Sequence, residues 1–250
     1  YDGFNEPDDW LTFAEIERVV AAFTGLGVSR VRLTGGEPLA RRQLPELAQR
    51  LRQLPGLDDL SLSTNGVQLS RHAVALYSAG VRRLNISLDS LRADRFAEIT
   101  GGGKLSKVLH GLEMASAAGF HPIKINMVAM RGVNDDEFED MVHFCAERGF
   151  ALRFIETMPV GDTGRAASDT YLDLQGVRES LQKKFELLPA AMPGGGVREN
   201  PLPSSTTVTP MKNWVPGSKP GANLCSVGPT GESFFSTITS GPRHRKMQSG

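Results

Sequence analysis

Two periods of apolar residues alternate along the first three quarters of the chain. Ile16, Val19, Val20, Phe23 and Leu26 recur at helical spacing behind Thr12-Phe-Ala-Glu15, a capping box, and predict a helix closing at Gly27. Val31 and Leu33 then alternate with Arg30, Arg32 and Thr34, which predicts a strand over 30–34. The same reading places strands over 60–65, 83–89, 123–130 and 152–158. Helices are expected over 44–54, from a Ser70 cap to Gly80, over 105–118, from Asn134 to Arg148, and over 174–188. Five strands separated by helices through short loops predict repeated βαβ units and a parallel sheet. A partial or complete (β/α) barrel and an open doubly wound sheet both fit that alternation.

Strands covered on both faces read as near-continuous apolar runs. These do not. Leu60 and Leu62 alternate with Ser61, Ser63 and Asn65; Leu84, Ile86 and Leu88 with Asn85, Ser87 and Asp89; Ile123, Ile125 and Met127 with Lys124 and Asn126. With Arg30, Arg32 and Thr34, four successive strands carry one polar and one apolar face. Helical crossovers argue against an open antiparallel face on water. A barrel-like curl accounts for the pattern better: apolar faces under helices, polar faces around a ligand. Burying Arg32 and Lys124 unpaired would be costly, so an anion is expected with them, phosphate first. The competing arrangement is internal pairing with carboxylates such as Asp89 and Glu37. After the strand at 30–34, Gly35 and Gly36 let a ligand approach the backbone, and Pro38 ends the ladder.

Composition narrows the class. At 250 residues the chain can bury a core, and 40% hydrophobic with 22% charged residues is ordinary for a globular protein. A net charge of zero gives no global argument for nucleic acid or membrane binding, and no run of about 18 apolar residues is present. Two cysteines, Cys145 and Cys225, make no disulfide framework and no metal-ligand pattern, so no metal ligand is assigned and a cytoplasmic setting is expected. The chain starts at Tyr1, and a preceding segment is expected. From about Pro193 onward glycine, proline, serine and threonine dominate. The division is therefore residues 1–190 as a partial barrel and 191–250 as a poorly structured tail of coil or disorder. The basic cluster Arg243-His-Arg-Lys246 in that tail reads as a solvated surface.

Arg32-Leu-Thr-Gly-Gly-Glu-Pro38, Ser63-Thr-Asn-Gly66, Asn85-Ile-Ser-Leu-Asp-Ser90, Lys124-Ile-Asn126 and Arg153-Phe-Ile-Glu-Thr-Met-Pro159 together resemble the radical S-adenosylmethionine GTP 3′,8-cyclases of molybdenum cofactor biosynthesis. The resemblance runs from about residue 11 to 188. It implies an α/β fold, an incomplete (β/α)6 barrel of the radical SAM type, and a lyase. In such enzymes a 4Fe–4S cluster cleaves S-adenosylmethionine to a 5′-deoxyadenosyl radical, and GTP becomes 3′,8-cyclo-7,8-dihydro-GTP. By the same resemblance Gly36, Ser87, Arg153 and the Met158 backbone would hold S-adenosylmethionine. Arg32 and Lys124 would grip GTP phosphates with Arg30 assisting, and Ser63 would stand where the family usually has threonine. The implied partners are GTP, S-adenosylmethionine and, as an option, a second copy in a homodimer; neither nucleic acid nor membrane is among them.

Two departures qualify the resemblance. The family holds its radical-generating cluster with Cys-x-x-x-Cys-x-x-Cys ahead of the first helix here, and a second cluster with three cysteines near its C-terminus. Residues 1–10 contain no cysteine, and Cys225 alone falls in the later region. Thiolates are the usual ligands of such clusters, so neither is expected to be held, no residue is assigned as catalytic, and the chain alone is expected to be catalytically silent. A shifted reading frame or alternative splice past residue 193 would explain the change of character there. The alternatives are a cluster-free nucleotide-binding module and a sister radical S-adenosylmethionine enzyme with another substrate.

Overall fold

The computed structural model describes residues 10–157, 169–189, 222–227 and 233–239. The chain divides into two compact units, Tyr1–Met127 and Val128–Gly250. In the first, α1 (Phe13–Gly25), β1 (Arg30–Leu33), α2 (Leu44–Arg52), β2 (Asp59–Thr64), α3 (Leu69–Ser78), β3 (Arg83–Ser87), α4 (Ala93–Thr100) and α5 (Leu105–Ala118) lead into β4 (Ile123–Ala129). β1 pairs with β2, β2 with β3 and β3 with β4, all parallel. The apolar strand face carries the core: Leu60, Leu62, Leu84, Ile86 and Ile125 are at most 1% exposed.

The helices sit where local chemistry places them, with instructive exceptions. The expected capping box opens α1: the Glu15 amide donates to Thr12 Oγ1 at 3.3 Å, and the Thr12 amide donates to Glu15 Oε2 at 2.7 Å. Ser70 does not cap α3; the helix begins at Leu69 behind Gln68, which makes no side-chain cap. The preceding turn starts it instead, through Leu69 N–H donating to the Gly66 carbonyl at 3.1 Å. Gly66 takes φ +77° in that turn, and a Cβ there would meet Val108 at 3.1 Å and Ile86 at 3.2 Å. α4 has no counterpart among the expected elements, because Phe96 is its one buried residue and leaves no apolar period to read.

In the second unit, α6 (Phe138–Arg148), β5 (Ala151–Glu156), α7 (Leu174–Gln182), β6 (Glu186–Pro189), β7 (Ala222–Val227) and β8 (Ser233–Thr239) follow. α6 starts four residues after the expected Asn134. That side chain ties the preceding turn instead, accepting from the Met130 amide and donating to the Val128 carbonyl, each at 2.9 Å. The helix expected through residue 188 ends at Gln182, and β6 follows. β6 pairs antiparallel with β8, β8 antiparallel with β7, and β7 parallel with β5. Two strands thus stand in the stretch expected to be coil. Their pairings with β5 and β6 join residues tens of positions apart, which no nearby residue announces, while β7 and β8 are near neighbours in sequence. Arg243-His-Arg-Lys246 lies outside the described residues.

Candidate functional site

Ladder register turns the polar strand positions into ordered rows, because residues opposite one another in a sheet point to the same side. Arg30 stands opposite Asp59. In the next row Arg32 is opposite Ser61, and Ser61 opposite Arg83. Above it Ser63 is opposite Asn85, and Asn85 opposite Lys124. The last row holds Ser87 and Asn126. Arg32, Ser63, Ser87 and Lys124 therefore share one face of one sheet. Arg30 and Arg32 are exposed at its edge, Ser63 is half-buried, and Lys124 is buried.

Arg83 belongs to this face although it has no place among the residues singled out from the sequence. Its parity with Asn85 and Ser87 was the available signal. The guanidinium pairs with Asp59, both side chains being largely buried. Burial, then the positive charges of Arg30 and Arg32, lower its pKa from the usual arginine range. Three guanidinium groups thus feel one another around a single carboxylate.

At the C-terminal end of β1 the chain turns through Gly35 and Gly36 into a 3-10 turn at Pro38–Ala40. A Cβ placed on Gly36 would meet nothing within 4 Å, so space is open beside that backbone. Glu37 does not serve the strand cations. Its carboxylate accepts from the Leu39 amide at 3.0 Å, the Thr64 hydroxyl at 2.7 Å and the Asn65 amide at 2.8 Å. It fastens the glycine turn of β1 to the end of β2. The turn residues Thr34, Gly35, Gly36, Glu37 and Pro38 line a cavity of about 410 Å³ together with Arg32, and apolar residues of α1 and α2 such as Ile16, Val20, Leu47 and Leu51 complete its lining.

Arg153 lies on β5 in the second unit, half-buried, with its Nε buried and unbonded. Met158 lies outside the described residues. Asn126 Oδ1, in the last row, is likewise buried without a hydrogen-bond partner. Buried polar atoms are normally satisfied, so an orphan acceptor beside Ser87 and open backbone at Gly36 fit a polar ligand that carries hydrogen-bond donors, as S-adenosylmethionine does. The residues do not fit an iron–sulfur cluster. Among the described residues no three His, Cys, Asp or Glu side chains are grouped to hold a metal. Cys145 is buried in α6, and burial pushes its thiol well above the usual range. Among the described residues no helix is long and apolar enough to cross a membrane.

Comparison with known proteins adds an independent line. Residues 1–145 match the Radical SAM superfamily model. The GTP 3′,8-cyclase of Paracoccus denitrificans is 49% identical over 191 residues, covering 75% of this chain and 55% of that protein. The GTP 3′,8-cyclase of Hydrogenovibrio crunogenus is 45% identical over 184 residues, covering 73% and 56%. The chain thus spans little more than half the length of these relatives. Among solved structures, Streptococcus suis SuiB bound to precursor peptide SuiA matches with a TM-score of 0.60 at 19% identity, over 72% of this chain and 40% of that one. Escherichia coli coproporphyrinogen III oxidase (HemN), a radical SAM enzyme, matches with a TM-score of 0.50 at 15% identity, over 67% and 42%. These likenesses show the fold, a barrel-like α/β architecture of the kind the family resemblance implies.

Proposed function

We propose, from the premise that this chain belongs to the Radical SAM superfamily, that it is the substrate-cradling part of a GTP 3′,8-cyclase acting in molybdenum cofactor biosynthesis. The observation that carries the reading is the ladder that sets Arg32, Ser63 and Lys124 on one strand face, with Ser87 two residues above Asn85 on the same face. The identity to named GTP 3′,8-cyclases supports the choice of nucleotide.

Each residue then has a task. Lys124, a point charge on a buried stem, sits where a phosphate replaces its lost hydration. Arg32 offers a fork of N–H donors to phosphate oxygens, and Arg30 adds charge at the sheet edge. Ser63 supplies a hydroxyl beside Asn85. Gly36 presents backbone without a side chain in the way, while Ser87 and Asn126 offer polar atoms to S-adenosylmethionine. In the whole enzyme that cofactor, once reductively cleaved by an electron from a cluster held outside these residues, would supply the hydrogen abstraction from the GTP ribose. The protein's share is to hold the reacting atoms close and exclude water. No step is assigned to an iron–sulfur cluster on this chain, whose residues do not form its ligand set. That mismatch favours a second reading, a nucleotide-binding module that does no radical chemistry.

Titration of the chain with GTP and ATP tests the proposal. GTP is expected to bind more tightly, and Lys124→Ala to weaken GTP by about tenfold or more, the scale of one charge-assisted hydrogen bond. Equal affinity for the two nucleotides, or full-strength binding by Lys124→Ala, would overturn it.

A further inference from the structure

We propose that Thr64 is a positioning residue for cofactor binding: through the Glu37 carboxylate it fixes how the Gly35–Gly36 backbone is presented to S-adenosylmethionine. That role rests on the cofactor reading of Gly36 above and needs no contact between Thr64 and the ligand.

The glycine turn has little of its own to hold it. The β1–β2 ladder ends at the pair Leu33 and Leu62, so residues 34–37 lie beyond it. Gly35 and Gly36 are exposed, and a Cβ on either would meet nothing within 4 Å. Both line the cavity at the end of β1. Three donors converge instead on the next residue, Glu37. The Leu39 amide holds its carboxylate from the turn side at 3.0 Å. The Thr64 hydroxyl at 2.7 Å and the Asn65 amide at 2.8 Å hold it from the end of β2. Hydrogen bonds to a carboxylate are the stronger kind, and three of them from different directions set its orientation.

Thr64 stands between this carboxylate and a rigid corner. The Gly66 amide donates to Thr64 Oγ1 at 3.1 Å, which leaves the hydroxyl proton for Glu37 Oε1. Thr64 is 5% exposed, so water competes little for either bond. Gly66 itself is packed in: Val108 and Ile86 stand where its Cβ would go, and its carbonyl accepts from the Leu69 amide that opens α3. α5 closes on the same carbonyl, since a Cβ on Gly111 would lie 2.7 Å from that oxygen. Thr64 thus carries the position of a corner built by α3 and α5 to a turn without packing of its own. A hydroxyl that served β2 alone would be satisfied by the Gly66 amide. The shorter bond reaches out to the turn that faces the ligand.

Calorimetry of S-adenosylmethionine and of GTP binding to the full chain, with amide hydrogen exchange of the ligand-free chain, tests this in wild type, Thr64→Val and Thr64→Ser. Thr64→Val is expected to weaken S-adenosylmethionine by about tenfold or more, the scale of one hydrogen bond to a charged group. GTP should weaken less, so the ratio of the two affinities falls. The Leu39 amide should exchange faster although its own acceptor is intact. Thr64→Ser, which keeps the hydroxyl, should restore both. Faster exchange at Gly66 alone, with the affinity ratio unchanged, is what a local structural role produces, and it overturns the proposal. So does a folded Thr64→Ser that loses S-adenosylmethionine affinity, which covers the case in which Thr64→Val does not fold. A wild type that binds no S-adenosylmethionine while Leu39 responds as expected removes the cofactor reading of Gly36 and keeps the hold on the turn. Binding by the wild type with no response at Leu39 keeps that reading and removes the role of Thr64.

Discussion

The Thr64 hydroxyl donates to Glu37 Oε1 at 2.7 Å, so the glycine turn after β1 and the end of β2 are tied by one carboxylate. The other oxygen accepts from the Asn65 amide. Glu37→Ala leaves these two donors and the Leu39 amide without their acceptor and is expected to destabilise the chain by about 1–3 kcal/mol. Glu37→Gln, which keeps one oxygen, should cost less. Urea unfolding with both variants checks the order, and equal stability of wild type and Glu37→Ala would remove the tie from the account. Because the tie holds Gly36 and Ser63 in place, the alanine variant should also lower affinity for S-adenosylmethionine.

Helix α5 approaches the turn before α3 through a glycine. A Cβ on Gly111 would stand 2.7 Å from the Gly66 carbonyl oxygen and 3.1 Å from Leu69 Cβ, so Gly111→Ala is expected to cost about 1–3 kcal/mol by overpacking. Gly176 in α7 is the internal control. A Cβ there meets nothing within 4 Å, and Gly176→Ala should stabilise by about 0.5–1 kcal/mol through helix propensity. Paired thermal melts should move in opposite directions.

Much of this geometry was legible before the structure. The parity of Arg32, Ser63, Ser87 and Lys124 is a local, period-two signal, and parallel register preserves it across strands. Arg83 shares that parity but stands at a strand start, where a charged residue also reads as solvent-facing. Helix starts were less legible, because Asn134 and Ser70 are good cap residues that the turns used otherwise or passed over. β5 pairs with β7 and β6 with β8 across tens of residues, and such pairing leaves little trace in a short window. The role of Glu37 was invisible, since its partners Thr64 and Asn65 are 27 and 28 residues distant.

The capping box makes a pH prediction. The Thr12 backbone N–H, then the Thr12 side chain, hold the Glu15 carboxyl below its usual 4.5. A carboxylate lowered in the folded state contributes stability that is full above its unfolded pKa and lost as pH falls through the folded one. Fraying at the start of α1 should therefore set in only as the pH drops below about 4.5. Carbon-detected titration of Glu15 in Thr12→Ala, which removes the hydroxyl, is expected to show the carboxyl moving back toward the usual value. An unchanged titration would show that the Thr12 side chain has no part in it.

The thiols supply the chemical test. With Cys225 replaced by serine, Cys145 should resist alkylation at pH 8 and react once the chain unfolds, because it is buried and its thiolate disfavoured. Anaerobic iron–sulfur reconstitution of this chain should give no 4Fe–4S absorbance, since two cysteines cannot supply three thiolates. A stoichiometric cluster would sink that claim and restore a radical step to the chain's own chemistry.

The underside of the cationic face has a consequence of its own. Leu60, Leu62, Leu84, Ile86 and Ile125 form a slab with essentially no water beneath Arg32, Arg83 and Lys124. Field lines from these charges pass poorly through a low-dielectric layer and are driven out on the open side of the sheet. The face therefore acts at a distance as well as on contact. Polyanions should be captured faster than shape alone allows, and the capture rate should fall as ionic strength rises, with neutral nucleosides left indifferent to salt. In this sheet the apolar residues that make the fold also aim its charge.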